Sequence, residues 1–556
     1  MEAKDWKINE LVSGKDTIFT IPSYQRNYKW RFKTAEKDKS QKNNEVGALM
    51  SDINEFIKDH SRKNYFLGTI VIKSIPQLSR NFVLIDGQQR ITTFLLMISA
   101  MRECFDTNDP FRREELEKIL ETEEDKFKLN RINDQNIIKK ILDGKHNSIT
   151  KEEEKSIYFV NFVKIFNFFK KMDKSKIKEF YDFGIRKIDL AVVRLDSDED
   201  EFLVFESINS KGQSLSSGDL IKNYVMMQFI HEHNLEQKFQ DEIVSKLSNE
   251  ELEDFYRQLI AIRTGKLPSK KTKSLYYSFK NEFDRDWIKN NKEELILILK
   301  HNLAIWKYIH KVDFGYETLP IIHNILNFYT ILYALVEKNS IWSEEENELI
   351  NINEKNIRIG FIRLSEILIR RTLGGRGRVE SNRTFAKLGS DYYKDENAVF
   401  DEYIYLRLEH DVTKVRTPSW EEVEELIYKM DVYSSKSMIK WILIAIEEKN
   451  SKKKIFNTDE FTIEHIYPQN PDDSWDYLSI EDKYEMGNML NTLGNISITN
   501  HNSALGNKIF SKKKEILEDR SYLKINKMIY EVDKWDSKAI KERANKLLNY
   551  IKEIWS

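Results

Sequence analysis

The hydrophobic pattern changes character along the chain. In the first hundred residues, strand-like runs alternate with turn-forming positions: TIFTIPSY, YFLGTIVIK at 65–73 and FVLID at 82–86. The third run opens into ITTFLLMISAMREC, which predicts a unit of strand, tight turn and helix. IDLAVVRLD at 188–196 is a further strand-like run, followed by a helical EFLVFESIN. Residues 107–187, rich in Glu, Lys, Phe and Ile at helical spacing, predict a helical layer inserted into this first region. From about 224 to 450 apolar residues recur every three or four positions, broken by TGKLPSKKTK and LGGRGRVESN, which predicts a helical middle. Near 455 the pattern changes again. IFNTDEFTIEHIYPQNP is too short and too polar for a core helix, LGNISITN reads as a short strand before a helix, and KWDSKAIKERANKLLNYIKEIW is an amphipathic tail helix.

These elements predict an α+β chain, predominantly helical, in three parts. Residues 1–235 form an α/β domain carrying the insertion 107–187, 236–400 a helical connector, and 401–556 a helical domain containing a strand–strand–helix unit. The 556-residue length fits two or three cores. An aromatic share of 12% with only 8 prolines argues for folded material. The 89 basic and 91 acidic side chains nearly cancel, so any nucleic-acid partner has to be met by local patches. A single cysteine, Cys104, excludes an internal disulfide framework and any multi-cysteine zinc site. The start, MEAKDWKINELVSGKD, lacks the features of a secretory signal, and no apolar run approaches the roughly 20 residues of a membrane span. The expected setting is cytoplasmic, without a membrane partner.

The candidate chemistry lies at both ends. TIEHIYPQNP places Glu464 directly before His465, with Pro468 three residues on; Gly494-Asn495 and an Asn-Ile-x-Ile strand follow about thirty residues later, and a helix begins near Asn502. This constellation is the pattern of a ββα-metal finger and resembles the HNH family of His-Me finger nucleases, with asparagine in a third position where many members have histidine. His465 suits a general base that takes a proton from the water attacking a phosphodiester, because an imidazole titrates at roughly pH 6.5. Glu464 and an amide oxygen from Asn502, with Asn507 in reserve, suit an oxygen-loving divalent ion, Mg2+ or Mn2+, that neutralises the departing 3′ oxygen. An amide in that position makes zinc or nickel less suitable. Asn495 is expected to hold the loop so that the imidazole points at the phosphate. Lys508, Lys512, Lys513 and Lys514 are expected to contact flanking phosphates. A lone His-Ile-x-Pro is more commonly a buried histidine satisfied by a hydrogen bond; Glu464 in front, Gly494-Asn495 at the expected distance and the series Asn502, Asn507, Phe510, Lys513 behind turn the balance to the catalytic reading. His301, His310, His323 and His410 read as packing or surface residues, and His501 as lying near the site without acting in it.

Four N-terminal segments stand out: IPSYQRNYKW from Ile21, FLGTI from Phe66, Asp86-Gly87-Gln88-Gln89-Arg90, and FESINSKG from Phe205 running on to Asp219-Leu220-Ile221-Lys222. In the third, Gly87 permits a tight turn, the following helix offers free N–H groups to an anion, and Arg90 can clamp a phosphate. Asp86 as a helix cap and Arg90 in a surface ion pair would need no ligand at all. The Tyr-Gln-Arg cluster supplies aromatic faces and a cation for a base and its phosphate, or simply an aromatic core.

Taken in order, the four segments resemble the N-terminal domain of GmrSD-type modification-dependent (type IV) restriction endonucleases. That resemblance implies a ParB/sulfiredoxin-like fold, nucleoside triphosphate binding and hydrolysis at the Asp-Gly-Gln-Gln-Arg turn, and an HNH nuclease domain at the C-terminus. Asp86, Gly87, Gln88, Gln89 and Arg90 carry over as nucleotide-handling residues, with Gln25 and Arg26. Asn209, Lys211, Asp219 and Lys222 are suited to complete the same pocket, although Asp219 could equally cap the helix starting at Leu220. No Walker-type loop is present, so hydrolysis would use an unusual pocket.

In the middle, Arg363, Arg370, Arg371, Arg376, Arg378 and Arg383 cluster around a glycine-rich loop, and Lys270, Lys271 and Lys273 sit in another. They are the DNA-contact candidates, foremost Arg376 and Arg378, against the ordinary reading of a solvated face. The expected activity is nucleotide-regulated cleavage of modified phage DNA in anti-phage defence. The rivals are a nucleotide-dependent DNA-binding or signalling module with a structural finger, and a toxin-like RNase. A finger that cuts one strand needs two copies, as in a homodimer, or two visits, for a double-strand break.

Overall fold

The computed structural model describes residues 2–22, 25, 27–33, 44–59, 61–75, 80–105, 110–123, 126–131, 135–196, 201, 204, 216–229, 232–269, 273–318, 326–376, 381–410, 416–475 and 477–556. They form two compact units, 1–236 and 237–556. The connector 236–400 and the domain 401–556 expected from the sequence thus form a single unit. The described residues are mostly helical, with one small mixed sheet and two strand pairs.

The sheet of the first unit contains β1 (Glu2–Lys7), β2 (Ile18–Thr20), β3 (Tyr65–Ser74), β4 (Asn81–Asp86), β5 (Leu129–Asn130) and β6 (Ile188–Leu195), in the order β1-β6-β3-β4-β2-β5. β3 runs parallel to β6 and antiparallel to β4; β4, β2 and β5 are parallel neighbours; β1 closes the other edge antiparallel to β6. The strands read at 65–73, 82–86 and 188–196 are therefore present. β1 was not expected from the sequence, and only Ile18–Thr20 of TIFTIPSY is strand.

Residues 107–187 are not a separate helical layer. Leu129–Asn130 supplies the sheet edge, and Tyr158, Phe162, Ile165 and Phe169 of the helix Ile157–Lys170 enter the same core as Ile91, Leu95 and Ile98. The cause lies in the helix Gln88–Arg102, which is buried at every residue but Arg90. A helix apolar around most of its circumference needs cover beyond one sheet face, and the supposed insertion provides it.

Among its described residues the second unit has, besides helices, the hairpin β7 (Ile341–Ser343) and β8 (Glu348–Ile350), which the sequence pattern does not announce, and the pair β9 (Thr462–His465) and β10 (Ile496–Thr499). β9 and β10 are antiparallel, with His465 opposite Ile496 and Glu464 opposite Ser497. Short and long helices follow, Asn502–Leu505 and Phe510–Arg520, and the tail helix is Ser537–Trp555. Ile466, Tyr467, Trp475, Leu505, Phe510, Trp535 and Ile540 share the core under the strand pair. Gly494 meets the tail helix so closely that a Cβ there would lie 2.2 Å from the Ile540 carbonyl oxygen. Among the described residues no helix is long and apolar enough to cross a membrane.

Candidate functional site

His465 ends β9 and is 8% exposed. Its Nε2 lies 3.0 Å from Asn491 Oδ1, and Asn491 Nδ2 donates to Asp431 Oδ2 at 2.9 Å. The Tyr433 ring packs against the imidazole at 4.6 Å between centroids. None of the described residues hydrogen-bonds to Nδ1. Burial pushes the imidazole pKa below its ordinary value, opposed by the Asn491 hydrogen bond; the Lys513 charge lowers it further and Asp431 opposes. The neutral imidazole is therefore favoured at neutral pH.

Asn495 is fully buried and all its amide groups are used. Oδ1 accepts from the Tyr467 N–H at 2.8 Å and Trp535 Nε1 at 3.1 Å; Nδ2 donates to the carbonyls of Tyr467 at 3.0 Å and Leu490 at 2.9 Å. The backbone leaving His465 is thus clamped to the turn entering β10. The buried Arg543 of the tail helix reinforces that turn, donating to the carbonyls of Gly494 and Ile496, both at 2.8 Å, and to Ser497 Oγ at 3.0 Å. Sequence reading had given no role to Arg543, Asn491 or Asp431.

Glu464 faces the helix Phe510–Arg520, on the side of β9 away from Asn491, as alternation along a strand requires. Lys513 Nζ lies 2.7 Å from both Glu464 Oε1 and the His465 carbonyl oxygen. With side chains 0% and 8% exposed, Lys513 and Glu464 form a buried ion pair. Burial raises the Glu464 pKa and lowers that of Lys513, and mutual attraction only partly offsets each shift. Lys513 was expected to contact phosphate, and this is corrected: its ammonium is enclosed in the protein. Lys514 donates to the Val532 carbonyl at 2.9 Å. Lys512 and Lys508 are exposed, Lys512 bridging to Glu515 at 2.8 Å.

The metal-ligand candidates are only partly brought together. Asn502 Nδ2 donates to Thr462 Oγ1 at 3.2 Å and to the Ile463 carbonyl at 3.1 Å, which places it against β9 beside the Glu464 strand position. Asn507 is exposed. No cluster of three His, Cys, Asp or Glu occurs among the described residues. The donors available, a carboxylate, a main-chain carbonyl and an amide, are oxygens of the kind magnesium takes. A cation already lies against two of them, the Lys513 ammonium, so the oxygen cradle fits a positive ion by chemistry.

In the first unit, β4 ends at Asp86, Gly87 turns with φ +100°, and the helix Gln88–Arg102 begins. A Cβ at Gly87 would lie 2.7 Å from Ile70 Cγ1, so glycine is required twice over. Gln89 Oε1 accepts from the N–H groups of Lys29 at 2.9 Å and Trp30 at 3.2 Å, and its Nε2 donates to the Asn27 carbonyl at 3.3 Å. Gln88 Oε1 accepts from Arg131 at 3.1 Å, and Gln25 donates to the carbonyls of Leu84 and Ile85. These three glutamines thus hold the walls of the turn. Arg90 donates to the Thr69 carbonyl at 2.7 Å and lies 3.8 Å from Asp86. Ser216 caps the helix Ser217–Gln228 and bonds Asp219 Oδ2 at 3.0 Å. The Lys222 pKa is lowered first by burial; Asp219 opposes, and Arg131 and Lys29 lower it further. Three cations therefore gather near the turn, two of which, Arg131 and Lys29, the sequence reading had not selected as ligands. Arg26, Asn209 and Lys211 lie outside the described residues.

Two comparisons bear on these ends. Residues 8–226 match the family model described as GmrSD restriction endonuclease, N-terminal domain, and residues 417–550 match GmrSD restriction endonucleases, C-terminal domain. The chain belongs to the GmrSD restriction endonucleases. It is accordingly an endonuclease whose substrate is modified DNA. A search of the curated proteins finds no match. The GmrSD N-terminal match contains the Asp86–Arg90 turn with Arg131 and Lys222. The C-terminal match contains Asp431, Glu464, His465, Asn491, Asn495, Lys513 and Arg543.

The helical stretch between the two GmrSD matches holds the remaining DNA candidates. Arg363 and Arg370 are taken up by Glu366 and Glu409, and Arg370 is buried. Arg371 is buried too, donating to the Arg416 carbonyl at 3.3 Å. These three are corrected from DNA contacts to internal ties. Arg376 and Lys273 remain accessible, while Arg378, Lys270, Lys271 and the Arg383 side chain lie outside the described residues.

Proposed function

We propose that the chain is a nucleotide-regulated, modification-dependent endonuclease of anti-phage defence in which an HNH-type ββα finger cuts and a ParB/sulfiredoxin-like domain senses. His465 is the general base. It takes a proton from the water that attacks phosphorus; the bond from phosphorus to the 3′ oxygen then breaks, and the departing 3′ oxygen takes a proton from solvent, leaving a 5′ phosphate and a 3′ hydroxyl. What supports this most is the setting of His465. Burial favours its neutral form, Nε2 is satisfied, and no protein group of the described chain takes Nδ1. A histidine serving only as packing has no use for an open ring nitrogen beside a clamped backbone. Asn495 positions that backbone, and Lys508, Lys512 and Arg376 are suited to meet phosphates.

A bound Mg2+ or Mn2+, held by Glu464 and Asn502 with Asn507 in reserve, would neutralise charge on the departing oxygen. At the other end, a nucleoside triphosphate is the anion suited to the helix N-terminus at Gly87 and to the cations Arg90, Arg131, Lys222 and Lys29. Gln88, Gln89 and Gln25 would then shape the pocket by holding its walls.

The test is cleavage of a plasmid panel carrying methylated, hydroxymethylated, glucosylated or phosphorothioate positions, beside unmodified plasmid and RNA, with magnesium, with and without nucleotide. His465→Ala is expected to abolish cutting while leaving the fold and nucleotide binding intact. Undiminished cleavage by that variant removes the base assignment. Cleavage of RNA alone would favour the toxin-like reading.

A further inference from the structure

We infer that Asn491 and Asp431 are positioning residues that decide which ring nitrogen of His465 does the chemistry, fixing the proton on Nε2 and leaving Nδ1 as the base. The inference rests on the reading of His465 as general base and adds the groups that make it one. The amide of Asn491 has a defined orientation because its Nδ2 donates to Asp431 Oδ2 at 2.9 Å. Its Oδ1 must then face His465 Nε2, 3.0 Å away, and an oxygen acceptor requires the proton on that nitrogen. A neutral imidazole carries one ring proton, so the lone pair lies on Nδ1.

The far end of this chain is itself held. Asp431 Oδ1 accepts from the Ser434 N–H at 3.1 Å, and the Val432 N–H donates to the Asn491 carbonyl at 3.0 Å. The turn 431–434 and the turn entering β10 are therefore joined by a main-chain bond and a side-chain bond, and Tyr433 of the same turn packs on the imidazole. Asp431, Val432, Tyr433 and Ser434 come from a segment upstream of the strand–strand–helix unit, whereas Asn491 lies between its two strands. When Nδ1 takes the water proton the ring becomes a cation. The Nε2–H donation to Asn491 strengthens, and Asp431 lies behind it as the compensating charge. Asp431 is exposed, so water screens its charge and its contribution is the smaller of the two.

A loop staple would predict the same hydrogen bonds, so the test separates rate from stability. Single-turnover cutting of the modified plasmid the full chain cuts fastest would be measured together with DNA affinity and Tm. Asn491→Ala is expected to slow cutting by roughly 10- to 100-fold, the usual range for a partner that orients a working histidine, with affinity and Tm little changed. Asn491→Asp sets two carboxylates against each other and is also slow. The double variant Asn491→Asp with Asp431→Asn exchanges amide and carboxylate, keeps the near-identical shapes, removes the repulsion and restores a donor to the 491 side chain, so that the carboxylate is again held facing Nε2–H; it is expected to recover to within a few-fold of the parent. Cutting at the parental rate by Asn491→Ala while His465→Ala is inactive overturns the inference alone, as does a double variant no faster than Asn491→Asp. Parental cutting by His465→Ala overturns the general-base reading and this inference with it.

Discussion

Replacing Lys513 by methionine tests the buried pair under the strand. The substitution keeps the length of the side chain and removes only the ammonium, leaving the Glu464 carboxylate and the His465 carbonyl, each 2.7 Å from Nζ, without their donor. Because the Lys513 side chain is 0% and that of Glu464 8% exposed, water cannot take its place. Breaking such a pair from one side destabilises by about 3 to 5 kcal/mol when the remaining charge stays ionised. Glu464 can escape by taking up a proton, and the sign of the pH dependence follows. Its folded pKa is already raised by burial and loses the lowering influence of Lys513. A carboxyl raised in the folded state contributes stability that is full below its unfolded pKa of roughly 4.3 and lost as pH rises through the folded value. The variant should therefore be weakest relative to the parent at about pH 8 and recover much of the loss towards about pH 5. Urea unfolding of the full chain, followed by tryptophan fluorescence, reads chiefly this unit, which holds eight of the 10 tryptophans, Trp475 and Trp535 among them. Adding Glu464→Gln to Lys513→Met removes the stranded charge and should restore all but roughly 1 kcal/mol. A single variant within roughly 1 kcal/mol of the parent at high pH, or a double variant as unstable as the single, refutes the reasoning.

Three further outcomes follow from the two sites. Because burial lowers the His465 pKa, the base stays unprotonated below its ordinary value; the acid limb of the cutting rate should fall below about pH 6.5, and a limb above that value contradicts the assignment. Gly494→Ala drives a methyl group into the Ile540 carbonyl, 2.2 Å from its Cβ; since that oxygen belongs to helix backbone and cannot swing aside, the second unit should lose a few kcal/mol of stability in the same urea assay, roughly the upper end of overpacking effects. Arg90→Ala and Lys222→Ala should each weaken nucleoside triphosphate binding about tenfold or more by titration calorimetry without altering Tm, and unchanged binding by both removes the proposed nucleotide pocket.

What the sequence disclosed depended on whether a residue's job was local. β3, β4 and β6 are rich in apolar residues and were legible; β1, EAKDWK, is a mostly exposed, polar edge strand whose partner β6 lies far along the chain, and no periodicity announces it. His465 and Asn495 carry a local spacing that marks them as candidates. Asn491 and Asp431 meet only across the fold, and neither residue type is unusual where it stands. Lys513 is the instructive case. Within the run Lys512-Lys513-Lys514 all three look alike as phosphate contacts, yet the buried face of the helix is Phe510, Lys513 and Leu517, spaced three and four apart. That stripe is visible in the sequence, and it separates one lysine turned into the core from its neighbours. The consequence reaches the chemistry. A lysine on the apolar stripe requires an acid inside, the acid is Glu464, and the carboxylate beside the proposed general base is therefore already neutralised. Under that proposal an ion recruited there would have to compete with Lys513 for the carboxylate, and the metal requirement of cutting and the stability of this strand pair would be set by the same two residues.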